Sequence, residues 1–152
     1  LVLQAVSVRK NDTVLEIGTG SGYMAALLAH GARHVTTIEI EPGLKEMAEN
    51  NLSRYGVENV RVLCENGFCI EQYAPDRLFD VIVFSGAVSS IPEIFTNRLA
   101  DNGRMAVFYA NNSFVQALLL QKNSAVDQNI KILFETSVKP LREQLHHSHF
   151  CF

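Results

Sequence analysis

The chain has no tryptophan, only four prolines and only three cysteines in 152 residues. The cysteines (Cys64, Cys69 and Cys151) form no Cys-x-x-Cys pair, so neither a zinc ribbon nor a thioredoxin-type redox motif is encoded. An odd count without that spacing predicts reduced thiols and a cytoplasmic location. Basic runs are missing too: 13 Lys and Arg stand against 16 Asp and Glu, and a net charge of −3 speaks against a nucleic-acid partner. No apolar run reaches the roughly 18–20 residues of a membrane span, so no membrane association is expected. Arg9 and Lys10 follow the short apolar opening without a small-residue cleavage site, and no leader peptide is expected either. What is present, 47% apolar and 19% charged residues, is the composition of one folded domain with a substantial core. There is no internal repeat and no low-complexity segment.

The chain is organised around TVLEIGTGSGY, residues Thr13 to Tyr23. Thr13 to Ile17 is short, apolar and β-branched, with one acid, Glu16, and reads as a buried strand. Gly18, Gly20 and Gly22 follow, interleaved with Thr19 and Ser21, and then an apolar run from Met24 to Ala29. Strand, glycine turn and helix form the unit that cradles a nucleotide-like ligand, because glycine permits close backbone approach and a helix start offers unpaired N–H groups. A dinucleotide fingerprint needs its third glycine at position 23, where Tyr23 stands, which argues against a nicotinamide dehydrogenase. A second β-rich run, Arg33 to Glu41, carries Glu39 21 positions after Gly18, near the interval at which such units place an acid for ribose hydroxyls. Glu41 is the rival, but Pro42 follows it and assigns it to the turn before the next helix.

Strands are expected at Thr13–Ile17, His34–Glu39, Asn59–Cys64, Phe79–Phe84 and Gly103–Tyr109. Helices are expected at the N-terminus, from a Ser21 cap to His30, from Pro42 to Gly56, and from Pro92 to Leu99. Phe68 to Tyr73 reads as a short helix or loop, Ser85-Gly86 as a turn, and Asp101-Asn102-Gly103 as a tight turn into the next strand. The alternation predicts an α/β fold, a mainly parallel sheet covered on both faces. Phe114–Gln121 and Ile130–Val138 read as a terminal antiparallel hairpin, with the first also compatible with a helix.

Taken in order, VLEIGTGSGYMAALLA, TIEIEPGLKEMAENNL, NVRV, FDVIVFSGAVSSIPE and DNGRM resemble the protein-L-isoaspartate O-methyltransferase family, from about Leu3 to Leu141. The bacterial branch of that family is the nearest likeness. The resemblance implies a Rossmann-like S-adenosylmethionine methyltransferase fold, with S-adenosyl-L-methionine as cofactor and S-adenosyl-L-homocysteine as product. It implies methyl transfer to the α-carboxylate of isoaspartyl residues in damaged peptides and proteins, a repair reaction. The glycine motif would hold the methionine end of the cofactor and Glu39 the ribose. Where the family has Gly-Asp-Gly for adenine, this chain has Glu65-Asn66-Gly67, and Asn66 offers an amide oxygen in place of a carboxylate. The family's Ser/Thr-rich substrate segment, with a Ser-x-Pro, precedes the opening helix, so the substrate half of the site is expected outside this chain.

Carboxylate methylation needs no general base, since an α-carboxyl with a pKa of about 3.5 is ionised at neutral pH. Ser85, after the most apolar strand, either faces the methyl and substrate or is a plain turn serine; no other catalytic residue is evident. Glu16 either touches the cofactor or anchors the glycine loop. His146, His147 and His149 are read as a polar tail rather than a metal site, since no acid or cysteine stands at ligand spacing beside them. Cys64 and Cys69 are expected as core thiols, and Phe68, Tyr73 and Phe79 as packing residues. A diverged, non-catalytic cofactor-binding module and a methyltransferase with another acceptor are the alternative readings.

Overall fold

The computed structural model describes residues 1–136. A short helix α1 (Val2–Val6) leads into β1 (Thr13–Ile17), followed by α2 (Tyr23–Gly31), β2 (His34–Glu39), α3 (Pro42–Arg54) and β3 (Val60–Cys64). Then come α4 (Ile70–Tyr73), β4 (Phe79–Val88), α5 (Glu93–Thr96), β5 (Leu99–Ala110), β6 (Val115–Ser124) and β7 (Asp127–Thr136). The seven strands form one sheet in the order β3-β2-β1-β4-β5-β6-β7. β1 to β5 pair in parallel, and β6 is antiparallel to both β5 and β7. The chain winds outward from β1 to β3 and returns to β1's other side as β4, so the strand order reverses at β1. That is where open α/β sheets bind ligands, at the carboxyl ends of the strands.

Alternation along the strands divides the core between two faces. Leu15, Ile17, Ile82, Phe84, Met105 and Val107 pack on one side with Phe68, Phe79 and Phe95. Phe84 and Phe95 meet edge to face with ring centroids 4.9 Å apart. Val14, Val81, Val83 and Ala106 pack on the other side under Val2 and Val6 of α1 and Ala25 and Leu28 of α2. The amino end of the sheet is fastened by polar contacts. The Asp12 carboxylate accepts from Arg9 N and Arg104 Nη2, each at 2.8 Å, and Arg104 also donates to the carbonyls of Val6 and Ser7. The Asp80 carboxylate accepts from Thr13 N at 2.8 Å.

Several boundaries differ from the sequence expectation. Ser21 does not cap α2; Gly22 is the N-cap, at φ 87, with no side-chain cap bond. Ser85-Gly86 is not a turn, because β4 continues to Val88 and resumes pairing with β5 at Ala87↔Phe108 after an irregularity. The helix from Pro92 stops at Thr96 rather than Leu99. Arg98 is buried there, donating to Ala74 O and pairing with Glu71, and its carbonyl accepts from Phe79 N, which commits the backbone to the sheet. The Asp101-Asn102-Gly103 turn lies inside β5 as an excursion between Leu99 and Arg104, with Asn102 at φ 65. Of Phe114–Gln121, all but Phe114 falls in strand β6, and the hairpin link is only Ala125-Val126, so most of the polar stretch from Asn123 belongs to strand ends. Cys64 is an exposed free thiol, not a core residue, whereas Cys69 is buried as expected. The tail histidines, Cys151 and the last residues of the expected final strand lie outside the described residues.

Candidate functional site: the glycine loop and its acids

The loop after β1 crosses the end of β2. Gly18 N and Thr19 N both donate to Ile38 O, at 2.9 and 3.2 Å. Gly20 sits at φ +54, and a Cβ built there would meet nothing within 4 Å, so the backbone faces open space. A left-handed residue without a side chain is what close approach of the backbone to a ligand requires. Gly22 serves packing instead, since its Cβ position lies 3.4 Å from Ala48 and Leu52 of α3.

Glu39 closes β2 as expected and turns its carboxylate onto the loop. Oε2 accepts from Gly20 N at 2.9 Å and Oε1 from Glu41 N at 3.1 Å. Each oxygen keeps acceptor capacity, so the carboxylate still fits a vicinal diol. Glu41 is the N-cap residue of α3 and occupies the turn assigned to it.

Glu16 is 0% exposed. Thr37 Oγ1 donates to its Oε1 and Ser85 Oγ to its Oε2, both at 2.6 Å. Thr37 is in turn 2.6 Å from Thr19 Oγ1. Since the single Thr37 proton goes to Glu16, Thr19 donates to Thr37, and a chain of hydroxyls ties the glycine loop to β1, β2 and β4. Burial pushes the Glu16 carboxyl up to about 7, and the Ser85 and Thr37 hydrogen bonds offset part of the rise. Thr37 was not singled out in the sequence; its signal is register, since it lies opposite Glu16 in the β1–β2 ladder.

After β3, Asn66 is half-buried and its Oδ1 accepts from Phe68 N at 3.0 Å, leaving one lone pair for a further donor. Gly67 presses on β1: a Cβ there would lie 2.7 Å from Ile17 Cγ2. Its carbonyl accepts from the Tyr73 hydroxyl at 2.5 Å, and burial raises that phenol's pKa. Hydrogen bonds thus join Thr19, Thr37, Glu16 and Ser85 in one chain and Gly20 and Glu39 in a second set, Gly18 N shares the Ile38 carbonyl with Thr19 N, and Gly67 adjoins them through Ile17. Ser21 stands apart, exposed, its carbonyl accepting from Asn51 Nδ2. Two grooves lined by Glu49, Gly56 and Arg61 and by Ala29, Tyr55 and Asn59 lie behind α3, away from the loop. Among the described residues no cluster of His, Cys, Asp or Glu is arranged to hold a metal, and no helix is long and apolar enough to cross a membrane.

Strand order, glycine loop and acid-tipped second strand define the S-adenosylmethionine-dependent methyltransferase class of α/β domains. A solved structure titled protein-L-isoaspartate O-methyltransferase superposes with a TM-score of 0.81 at 27% identity, covering 94% of this chain and 46% of that one. A putative enzyme of that name from Plasmodium falciparum, solved with S-adenosyl-L-homocysteine, shares the fold at a TM-score of 0.79 and 19% identity, covering 93% and 70%. The family model described as Protein-L-isoaspartate(D-aspartate) O-methyltransferase matches residues 1–145. The chain belongs to the protein-L-isoaspartate O-methyltransferase family. Its relative of that name from Methanospirillum hungatei is 39% identical over 69% of this chain and 48% of its own length. The one from Petrotoga mobilis is 36% identical over 87% and 61%. The chain spans about half the length of the first curated relatives it matches.

Proposed function

We propose that this chain is the cofactor-binding part of a carboxyl methyltransferase that moves a methyl group from S-adenosyl-L-methionine to the α-carboxylate of isoaspartyl residues in damaged cytoplasmic proteins. The observation that carries the reading is the Glu39 carboxylate held against Gly20 N–H, beside open space, with acceptor capacity left on both oxygens. Glu39 would take the ribose hydroxyls, the Gly18–Gly22 loop the methionine end, and Asn66 with Gly67 the adenine edge. The cofactor supplies an activated methyl on a sulfonium, a good leaving group. The acceptor carboxylate oxygen attacks the methyl carbon as the sulfur takes back the bonding pair, giving a methyl ester and a neutral thioether. No proton moves, so alignment is the protein's main contribution, worth up to about 7–11 kcal/mol in favourable cases.

A second reading, a relative that binds the cofactor without this acceptor, is favoured by Asn66, whose amide oxygen is already engaged by Phe68 N. Calorimetric titration with S-adenosyl-L-homocysteine, beside a Gly20→Val variant, tests cofactor binding. The reading expects saturable binding that the β-branched side chain abolishes, and absence of binding by the folded parent contradicts it. Transfer of a radiolabelled methyl group to an isoaspartyl peptide, but not to its aspartyl twin, separates the two readings.

A further inference from the structure

The turn after β3 is held from both sides of a single peptide plane. The Tyr73 hydroxyl donates to the Gly67 carbonyl at 2.5 Å, and Phe68 N, on the same peptide unit, donates to Asn66 Oδ1 at 3.0 Å. Among the described residues no peptide bond is cis, and in a trans unit the C=O and N–H point in opposite directions. Drawing the Gly67 carbonyl toward Tyr73 therefore turns the Phe68 N–H toward Asn66. Tyr73 is itself fixed, packed against the core face that holds Phe68 and Phe84. Burial raises its pKa, so the phenol keeps its proton and remains a donor. The rest of the turn is tied down as well: Cys69 N donates to Asn66 O at 2.9 Å, and Glu65 N donates to the carbonyl of Glu39 at 3.1 Å.

Of the two ends of a primary amide only the oxygen can receive a backbone N–H, so Phe68 N decides which way the Asn66 amide faces. One lone pair of Oδ1 and both hydrogens of Nδ2 are left for a ligand. An acceptor beside a donor matches the 6-amino group of adenine and a neighbouring ring nitrogen. It is mismatched to hypoxanthine, which puts an oxygen acceptor in place of the amino group. Without Phe68 N the amide could turn over and suit either base. Resting on the assignment of Asn66 and Gly67 to the adenine edge, we propose that Tyr73 is a positioning residue for base recognition. Through the Gly67–Phe68 peptide it holds the Asn66 amide in the orientation that accepts a 6-aminopurine and rejects its 6-oxo counterpart. The aspartate of the family pattern has two equivalent oxygens and needs no such hold. The asparagine of this chain does.

The test is calorimetry with S-adenosyl-L-homocysteine and with its 6-oxo (inosine) analogue, in the parent and in Tyr73→Phe, beside thermal melts of each protein. The parent should bind the adenine ligand about tenfold more tightly, the worth of one hydrogen bond made rather than lost. In Tyr73→Phe that preference should fall to about threefold or less. A hydroxyl that served only the fold would lower the melting temperature and leave the ratio of the two Kd values unchanged. The same substitution in an Asn66→Asp background completes the cycle. With two equivalent oxygens there is no amide to turn, so Tyr73→Phe should leave the ratio where Asn66→Asp alone sets it. Should Tyr73→Phe not fold, Tyr73→Leu, which also lacks the hydroxyl, takes its place. An unchanged ratio in the hydroxyl-free variant, or an equal fall in both backgrounds, overturns this inference and leaves the cofactor reading standing. So does a parent that binds both ligands equally. Absence of binding by the folded parent removes both.

Discussion

At the amino end of the sheet the buried acid Asp12 is paired: Arg104 meets it at 2.8 Å and also donates through Nε and Nη2 to the carbonyls of Val6 and Ser7. At the carboxyl end, one strand's length away, Glu16 and Glu39 are also buried but, among the described residues, are held by hydroxyls and backbone N–H groups. The first arrangement fastens α1 and its loop to β5. The second sets two acids at the point where the strand order reverses. The same residue class is thus neutralised by a cation at one end of β1 and, among the described residues, held without a counter-charge at the other.

The comparison breaks most visibly if the paired end is unpaired. Arg104→Met leaves Asp12 buried without its cation and should cost about 3–5 kcal/mol in urea unfolding, with much of the loss recovered when Asp12→Asn is added. At the other end removal of charge should do the opposite. The Glu16 midpoint is raised from 4.5 to about 7 in the folded state, so its favourable contribution is full below the unfolded midpoint and is lost as pH rises through 7. Glu16→Gln should therefore be more stable than the parent at pH 8, by up to about 3 kcal/mol, and indistinguishable in slope below pH 4.5. Thermal melts of both proteins across pH 4 to 8 check this. Gly67→Ala drives a methyl into Ile17 and should lose about 1–3 kcal/mol of stability by overpacking, read by the same melts. Smallest of the four, Ser85→Ala removes one hydrogen bond to Glu16 and should cost about 1 kcal/mol at pH 8. It should also move the Glu16 midpoint upward, because the Ser85 bond lowers it.

Local signals in the sequence gave away β1, the glycine loop, β2 and Glu39, because each is written in consecutive residues with fixed spacing. The partners of Glu16 were not legible. Thr37 reaches it only through the β1–β2 register, and Ser85 only because β4 runs on past Phe84. Ser85-Gly86 reads as a turn in isolation; renewed pairing with β5 at Ala87 and Val88 overrides that local preference. The helix from Pro92 was overestimated for a similar reason, since the buried Arg98 and its carbonyl bond to Phe79 draw the chain into the sheet before another turn can form. The hairpin strand β6 was ambiguous because LLL at Leu118–Leu120 is buried on both faces and carries no period. The covering of the sheet on both faces, by contrast, followed directly from the alternation of strand and helix patterns along the chain.

The central claim is that the carboxyl end of the sheet holds a buried acid that no counter-charge among the described residues compensates. Carbon-13 NMR titration of the side-chain carboxyl of Glu16, assigned by its loss in Glu16→Gln, tests it directly. The account predicts a midpoint near 7. An ordinary glutamate midpoint of about 4.3 would contradict it.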